Sequence, residues 1–198
     1  ELARISYKLK KYISSEKYYQ KLLELAPTID VRQQAILGLL ESKFQLFKYD
    51  QVISCVNEYV SEDFFSQKDD LRIQYLNGYS LYKTNQNTKA LDVFNWLTVH
   101  SDGELKAESI FYSAQIAYNI GDNKKCQELI FQLIHELPSY QKWVNHALIL
   151  LAKNYIVQED MFQAQHVLME LEKKSNDPLI LEQVNIMLAN NFANIQLD

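Results

Sequence analysis

Four histidines are the side chains of this chain best suited to bind a metal ion or to transfer a proton near neutral pH: His100, His135, His146 and His166. A helical zinc site typically carries two histidines four residues apart on one face. No pair here has that spacing, and no His-Glu-x-x-His run occurs. We interpret His135, near the end of a predicted helix, as a favourable partner of the helix dipole rather than a catalytic group.

Adjacent carboxylates could serve general acid–base chemistry, and three pairs occur: Glu62/Asp63, Asp69/Asp70 and Glu159/Asp160. All lie at predicted helix starts, where carboxylates cap a helix and complement its dipole. With only four glycines, the chain has no phosphate-binding loop, nucleophile elbow or dinucleotide fingerprint. The sequence therefore predicts a protein that is not an enzyme and has no catalytic residue, cofactor or metal.

The composition favours helices over strands. Of the 198 residues, 47% are hydrophobic, which is ample for a folded core. Only four Gly and three Pro are present, so the chain has little material for the tight turns of an all-β protein. Leu, Ala, Lys, Glu and Gln are abundant, and all favour helix. We therefore expect an all-α fold.

The charge distribution argues against nucleic acid as a partner. The net charge is −5, and the short basic groups are separated by acidic sequence: Lys8/Lys10/Lys11, Lys124/Lys125 and Lys173/Lys174. A nucleic-acid binder gathers its basic residues into a stripe, because phosphate neutralisation supplies most of its affinity. No apolar run reaches the roughly 18 to 20 residues of a membrane span. We expect neither nucleic-acid binding nor a membrane span in this segment.

A repeated arrangement of small and apolar residues runs through the chain. In each copy a small residue is followed twelve positions later by another, and then by apolar residues four and seven positions further on. Three close copies are Gly78, Ala90, Phe94, Leu97; Ala114, Cys126, Ile130, Leu133; and Ala152, Ala164, Leu168, Leu171. A looser copy is Leu40, Val52, Val56, Tyr59, with partial copies at Ala3, Ser15, Tyr19, Leu22 and at Ala189. The first positions are 36 to 38 residues apart throughout, a register that chance does not maintain.

This spacing predicts pairs of antiparallel helices whose small residues lie where the two helices cross. The predicted helices are 1–11, 14–26, 30–46, 49–60, 68–84, 87–99, 105–120, 122–136, 140–158, 160–175 and 178–196. We interpret them as one solenoid with a partial repeat at 1–29, repeats at 30–67, 68–104, 105–139 and 140–177, and a half repeat at 178–198. Because the first and last residues lie within predicted helices, we expect a piece of a longer chain.

Turn residues agree with this register. Gly121 followed by Asp122 predicts a helix stop and then an N-cap. Asn87 and Asp160 occupy related capping positions, and Asp177 before a proline reads as an N-cap followed by the first helical residue.

Cys55 and Cys126 are the only thiols. Cys126 occupies a small crossing position, so we expect a buried and unreactive side chain. The two cysteines belong to second helices two repeats apart, which is roughly 20 Å at about 10 Å per layer. A disulfide requires Cα atoms within about 7 Å, so we predict two free thiols.

The repeat resembles the tetratricopeptide (TPR) motif. Residues of this chain that look like the signature positions of that motif are Gly78, Ala90, Phe94, Ala114, Gly121, Cys126, Pro138, Ala152, Tyr155 and Ala164. The period exceeds the usual 34 residues, and Leu40 and Val52 replace small residues in the first full copy. The longer period and the segment 146–172 are similar to bacterial envelope TPR proteins of the outer-membrane assembly lipoprotein and TolA-binding kinds, with Bacteroidetes-like relatives. The resemblance implies a right-handed TPR-like α-solenoid and a periplasmic or outer-membrane-associated location, with a cytoplasmic location as the alternative.

TPR proteins present their first helices along a concave groove that binds protein or peptide, so the resemblance implies that kind of partner. The positions that usually face the groove fall here on Gln34, Leu37, Glu41, Phe44, Gln45; Arg72, Tyr75, Tyr79, Tyr82, Lys83; Glu108, Phe111, Gln115, Tyr118, Asn119; and His146, Ile149, Lys153, Ile156, Val157. Tyr and Arg are favoured at interfaces because they combine rigid contact area with polar groups. We predict a peptide-binding groove formed by Arg72, Tyr75, Tyr79, Lys83, Phe111, Gln115, Tyr118 and Lys153.

For some of these residues a structural interpretation is favoured over a ligand contact, which leaves Tyr75 and Tyr79 as the stronger candidates. Tyr82 and Tyr118 occupy positions where aromatic rings pack against a neighbouring repeat, and Arg72 and Lys83 fit solvated surface charges. Two other functions stay open: self-association through the solenoid ends, where Leu181, Val184, Met187 and Leu188 would form an apolar face, and a cytoplasmic TPR adaptor.

Overall fold

The computed structural model describes residues 1–59 and 65–192, and these form eleven α-helices with no strand among them. The helices are α1 Leu2–Lys8, α2 Tyr12–Leu25, α3 Ile29–Gln45, α4 Tyr49–Tyr59, α5 Gln67–Lys83, α6 Asn87–His100, α7 Gly103–Asn119, α8 Asn123–Glu136, α9 Gln141–Val157, α10 Met161–Lys174 and α11 Pro178–Phe192. Each corresponds to one predicted helix, and the all-α prediction is confirmed. The pair Glu62/Asp63 and the predicted helical residues 193–196 lie outside the described residues.

The chain divides into two compact units, Glu1–His100 and Ser101–Asp198. Unit 1 contains α1 to α6 and unit 2 contains α7 to α11. Within each unit every first helix packs against the second helix that follows it, and successive first helices also contact one another. The first helices therefore form a shared face in each unit. That the whole chain is one solenoid stays a prediction.

The small residues of the repeat lie at the helix crossings, as predicted. Six of these small residues are fully buried: Ser15, Ala90, Ala114, Cys126, Ala152 and Ala164. Ala3 is 5% exposed. The larger Leu40 and Val52 of the weak copy are also fully buried. Ala189 differs, since it is exposed on α11, where no described second helix crosses it.

Close approach explains the glycines of α3 and α5. A Cβ atom on Gly38 would lie 2.1 Å from Cζ of Tyr19, inside the ring that α2 packs on this helix. A Cβ atom on Gly78 would lie 2.9 Å from Cγ1 of Val93 on α6. The contact of α2 with α3 and that of α5 with α6 are therefore both close at a position without a side chain.

The five turns within helix pairs share one conformation. A residue with positive φ follows the first helix in each: Lys10, Phe47, Asn85, Gly121 and Glu159. Its N–H bonds to the carbonyl three residues back, and the next N–H bonds to the carbonyl five residues back, as at Gly121 to Tyr118 and Asp122 to Ala117. These bonds satisfy the free carbonyls at the helix end. The predicted stop at Gly121 is confirmed.

The predicted caps are confirmed at three of four positions. The carboxylates of Asp122, Asp160 and Asp177 accept hydrogen bonds from backbone N–H groups at the start of the following helix. The prediction for Asn87 was wrong, because α6 already begins at that residue. Asp69 and Asp70 lie in the first turn of α5, where they complement the helix dipole as expected.

Each unit has its own apolar core. In unit 1 it includes Ile36, Leu39, Leu40, Ile73 and Leu76. Unit 2 has one core around Ile110, Ile130, Leu133 and Trp143, and a second around Ala164, Leu168, Ile180 and Val184. None of the described helices is long and apolar enough to cross a membrane.

Candidate protein-binding surface

The face of unit 1 formed by its first helices carries a group of aromatic side chains. We call it the aromatic surface and define it as Phe44, Phe47, Tyr49, Tyr75, Tyr79, Tyr82 and Lys83. Helices α3 and α5 supply most of it, and the turn after α3 and the start of α4 supply Phe47 and Tyr49. Tyr75 and Tyr79 therefore lie together, as the sequence predicted for the groove.

Tyr79 lies at the centre of this surface. Its ring centroid is 5.3 Å from Phe44, 6.0 Å from Tyr49, 6.2 Å from Tyr75 and 6.3 Å from Tyr82. Such tilted and edge-to-face pairs favour a fixed arrangement of the rings. All of these rings are partly buried except that of Phe47, which is exposed. The aromatic surface therefore combines a fixed arrangement of rings with apolar area that still faces solvent.

Lys83 places a positive charge on the aromatic surface. Its ammonium lies 5.2 Å from the ring centroid of Tyr79 and 5.6 Å from that of Tyr82, within the range of a cation–π interaction. Burial raises the pKa of the Tyr49 hydroxyl, which neighbouring Tyr79 supports and nearby Lys83 opposes. Among the described residues, no carboxylate forms an ion pair with Lys83.

Arg72, by contrast, is engaged within the protein. Its Nε donates to a carboxylate oxygen of Glu41 on α3. Partial burial disfavours the charged guanidinium, but the bond to Glu41 outweighs it, so the pKa of Arg72 is raised. Arg72 thus links α5 to α3, which favours a structural role.

The predicted site residues of unit 2 are less exposed as a group. The Phe111 ring packs on Trp143 at 5.5 Å and on His146 at 5.9 Å. Tyr118 packs against the apolar core, which supports its structural interpretation. Gln115 donates to Asn119 Oδ1 at 3.1 Å, and Lys153 is exposed.

One expectation for the groove was wrong. Ile149 is 3% exposed and belongs to the core formed with Ile180 and Val184 of α11. The helix after the last full repeat therefore covers a position that faces the groove in other repeats. The apolar face predicted for α11 is also partly used, since Val184 is fully buried while Leu181, Met187 and Leu188 are half-buried.

The structure adds two residues that sequence reasoning missed, Phe47 and Tyr49. Phe47 lies at the turn position that Gly121 occupies in unit 2, and its side chain is 75% exposed. Its ring lies 6.2 Å from that of Tyr49. The register of the turns alone could have located Phe47, because it lies seven positions after Leu40 as Gly121 does after Ala114.

No group of three or more His, Cys, Asp or Glu side chains in residues 1–59 and 65–192 could hold a metal ion. Both thiols are free and buried, and burial raises the pKa of Cys126 to about 11. The predicted burial of Cys126 is confirmed, and a thiol of this kind is a poor nucleophile.

Antiparallel helix pairs with small residues at each crossing and a shared first-helix face define the TPR class of helical repeat folds. No protein-family model matches the sequence, and no curated protein matches it either.

Solved structures with a similar fold include YrrB, MamA and RapI. YrrB, described as a TPR protein with an unusual peptide-binding site, has a TM-score of 0.70 and 15% identity over 93% of this chain and 88% of its own. MamA has a TM-score of 0.71 and 14% identity over 87% of each chain. RapI in its apo form has a TM-score of 0.80 and 14% identity over 97% of this chain and 75% of its own. These likenesses confirm the TPR fold.

Proposed function

We propose that this chain is a non-catalytic scaffold that binds a peptide or protein segment on the first-helix face. The observation that carries the proposal is the aromatic surface of unit 1. It joins rigid, partly exposed rings to a cation in the combination typical of protein interfaces. The peptide-binding site named for YrrB supports the proposal, since that protein has the same fold. The wider groove that also includes Phe111, Gln115, Tyr118 and Lys153 stays a prediction.

A pull-down from an extract of the source cells tests this proposal. The wild-type chain and the Tyr75→Ala/Tyr79→Ala variant are immobilised in equal amounts, and captured proteins are identified by mass spectrometry. Tyr18→Ala serves as the matched control, because Tyr18 is also partly exposed in unit 1 but lies on α2. We expect specific partners to be lost with the double variant only, at unchanged helical circular dichroism. Undiminished capture of every partner would contradict the proposal.

We also propose that the scaffold serves a process at the bacterial cell envelope. The repeat period of 36 to 38 residues and the similarity of segment 146–172 to envelope TPR proteins support this. Cell fractionation with an antibody against the chain tests it. Recovery with the periplasmic or outer-membrane fraction is expected, and recovery with the cytoplasm alone would favour the cytoplasmic adaptor.

A second candidate function is self-association through the ends. It is favoured by exposed apolar side chains on α1, the turn after it and the start of α2: Leu2, Ile5, Leu9 and Ile13. Such clusters often mark interaction surfaces. Light scattering over a hundredfold range of concentration tests it, and a constant monomer mass would exclude this function.

A further inference from the structure

Phe47 differs from its counterparts in the other helix-pair turns. The same turn position holds Lys10, Asn85, Gly121 and Glu159, which are polar or lack a side chain. An aromatic residue is therefore not needed to make the turn. Phe47 has a φ of 57°, which is strained for a bulky side chain, and its ring is 75% exposed to water. Since neither feature helps the fold, a contact outside the chain is the better explanation.

The position of Phe47 extends the aromatic surface outward. Its ring meets Tyr49 at 6.2 Å, and Tyr49 in turn meets Tyr79 at 6.0 Å. The exposed ring is thus joined by edge-to-face and tilted contacts to the part of the aromatic surface that holds Lys83. An apolar side chain lying on Phe47 and Tyr49 would be buried against preorganised rings, which reduces the entropy lost on binding.

Lys83 is the second unusual feature of this surface. Three other cations on α3, the turn after it and α5 form ion pairs within the protein, and one of them is Arg72 with Glu41. Lys43 and Lys48 are both paired with Glu16, at 3.1 and 2.7 Å. Lys83 instead rests on two tyrosine rings, without a carboxylate partner among the described residues. A ligand carboxylate would complete the pair beside a desolvating aromatic face, whereas a ligand cation would be repelled.

Resting on the proposed function, we propose that the aromatic surface recognises an acidic-apolar peptide. An Asp or Glu side chain of the peptide pairs with Lys83, and an aromatic or large aliphatic side chain a few residues away packs on Phe47 and Tyr49. Phe47 is then a specificity-determining residue, which explains why a strained, exposed ring stands at a turn that glycine would satisfy.

The test is an unbiased selection of 12-residue random peptides displayed on phage against the purified chain. The expected winners carry an acidic residue close to Phe, Trp, Leu or Ile. Synthetic versions of the best binder, labelled with a fluorophore, are then measured by anisotropy against wild type and variants. A matched peptide with Asn or Gln in place of its acidic residues tests the carboxylate directly.

The variants separate recognition from folding. Lys83→Gln should weaken the acidic peptide at least tenfold and leave its neutral counterpart unchanged, while Lys89→Gln, an exposed lysine on α6, should affect neither. Phe47→Asn should weaken both peptides at least tenfold but keep or raise the melting temperature, because Asn tolerates positive φ. Phe162→Asn is the matched control, since that ring is 77% exposed in unit 2.

The outcomes distinguish this inference from the proposed function. If peptides bind and are lost with Tyr75→Ala/Tyr79→Ala but do not depend on acidic residues, Lys83 or Phe47, the scaffold function stands and this inference is wrong. If Phe47→Asn lowers the melting temperature, its ring has a structural role and the inference is likewise overturned. If no peptide is enriched on the wild-type chain, both proposals fail.

Discussion

His146 shows how the surroundings of one residue set a property of the whole protein. Its side chain is half-buried in unit 2 beside Phe111 and Trp143. Burial lowers its pKa, and the charges of Lys142 and Lys153 lower it further, while Asp177 opposes them. The folded protein therefore binds a proton at His146 less readily than the unfolded chain does.

We predict that His146→Gln reduces the acid sensitivity of the fold. The neutral imidazole stabilises the folded state above the unfolded pKa of about 6.5, and this contribution is lost as the pH falls below that value. Urea denaturation at pH 7.5 and pH 5 measures the difference. The free energy of unfolding should fall less between these values in His146→Gln than in wild type, and exposed His166→Gln should behave as wild type. Equal losses in both variants would contradict the assignment.

Single residues also show which parts of the site could not be predicted from the sequence. Arg72 is predicted in the groove because its position usually faces the groove in TPR proteins, and the sequence does not indicate its pairing with Glu41, 31 positions away. Phe carries no turn signature, whereas Asn85 and Gly121 at the same turn position do, so the residue type gave no indication of Phe47. Tyr75 and Tyr79 were placed together correctly, since a spacing of four residues puts two side chains on one helix face.

At the scale of elements, packing of α2 on α3 depends on Gly38. Replacing this glycine with alanine favours the helix by about 1 kcal/mol in intrinsic propensity. The added Cβ would lie within the Tyr19 ring, at 2.1 Å from Cζ, and overpacking of this kind costs typically about 1–3 kcal/mol. The net of the two effects is a destabilisation of about 0–2 kcal/mol, so we predict that Gly38→Ala lowers the free energy of unfolding by about 1 kcal/mol.

Thermal and urea denaturation test this prediction, and the same substitution in a Tyr19→Ala background is the control. In the presence of Tyr19→Ala the ring is gone, so adding Gly38→Ala should become neutral or stabilising. A double-mutant cycle without coupling between the two sites would show that Tyr19 does not occupy the space above Gly38.

A second prediction at this scale concerns the crossings. Ala90 and Ala164 are fully buried where α6 and α10 cross their first helices. Ala90→Leu and Ala164→Leu should each lower the free energy of unfolding by about 1–3 kcal/mol, since the helices would have to separate. Ala189 is at the first position of the repeat, as Gly78 and Ala152 are, but it is exposed, so Ala189→Leu should change the stability little. Equal effects at all three alanines would refute the crossing assignment.

At the scale of the whole molecule, the order of helices could be predicted because small side chains recur at a constant spacing. The interval from Gly78 to Ala90 recurs from Ala114 to Cys126 and from Ala152 to Ala164. Each interval runs from the first helix to the second helix of one pair. Ile149 shows the limit of this reasoning. The repeat assigns it to an open face, but it is buried in the core that includes Ile180 and Val184 of α11.

The two cysteines offer a test of the predicted continuity of the solenoid, because each unit holds one. Cys55 in unit 1 and Cys126 in unit 2 are both buried, and burial raises the pKa of each thiol. A thiol reagent at pH 8 should therefore modify neither in the folded protein and both after denaturation.

Pulse labelling at increasing urea, followed by mass spectrometry of the peptides, gives a separate unfolding curve for each thiol. If the repeats form one cooperative stack, as their unbroken register predicts, the two curves share a midpoint, since each repeat is stabilised by its neighbours. Cys55→Ala and Cys126→Ala controls establish that modification of one thiol does not open the other unit. Clearly different midpoints would mean that the units unfold independently, and the prediction of a single solenoid would be wrong.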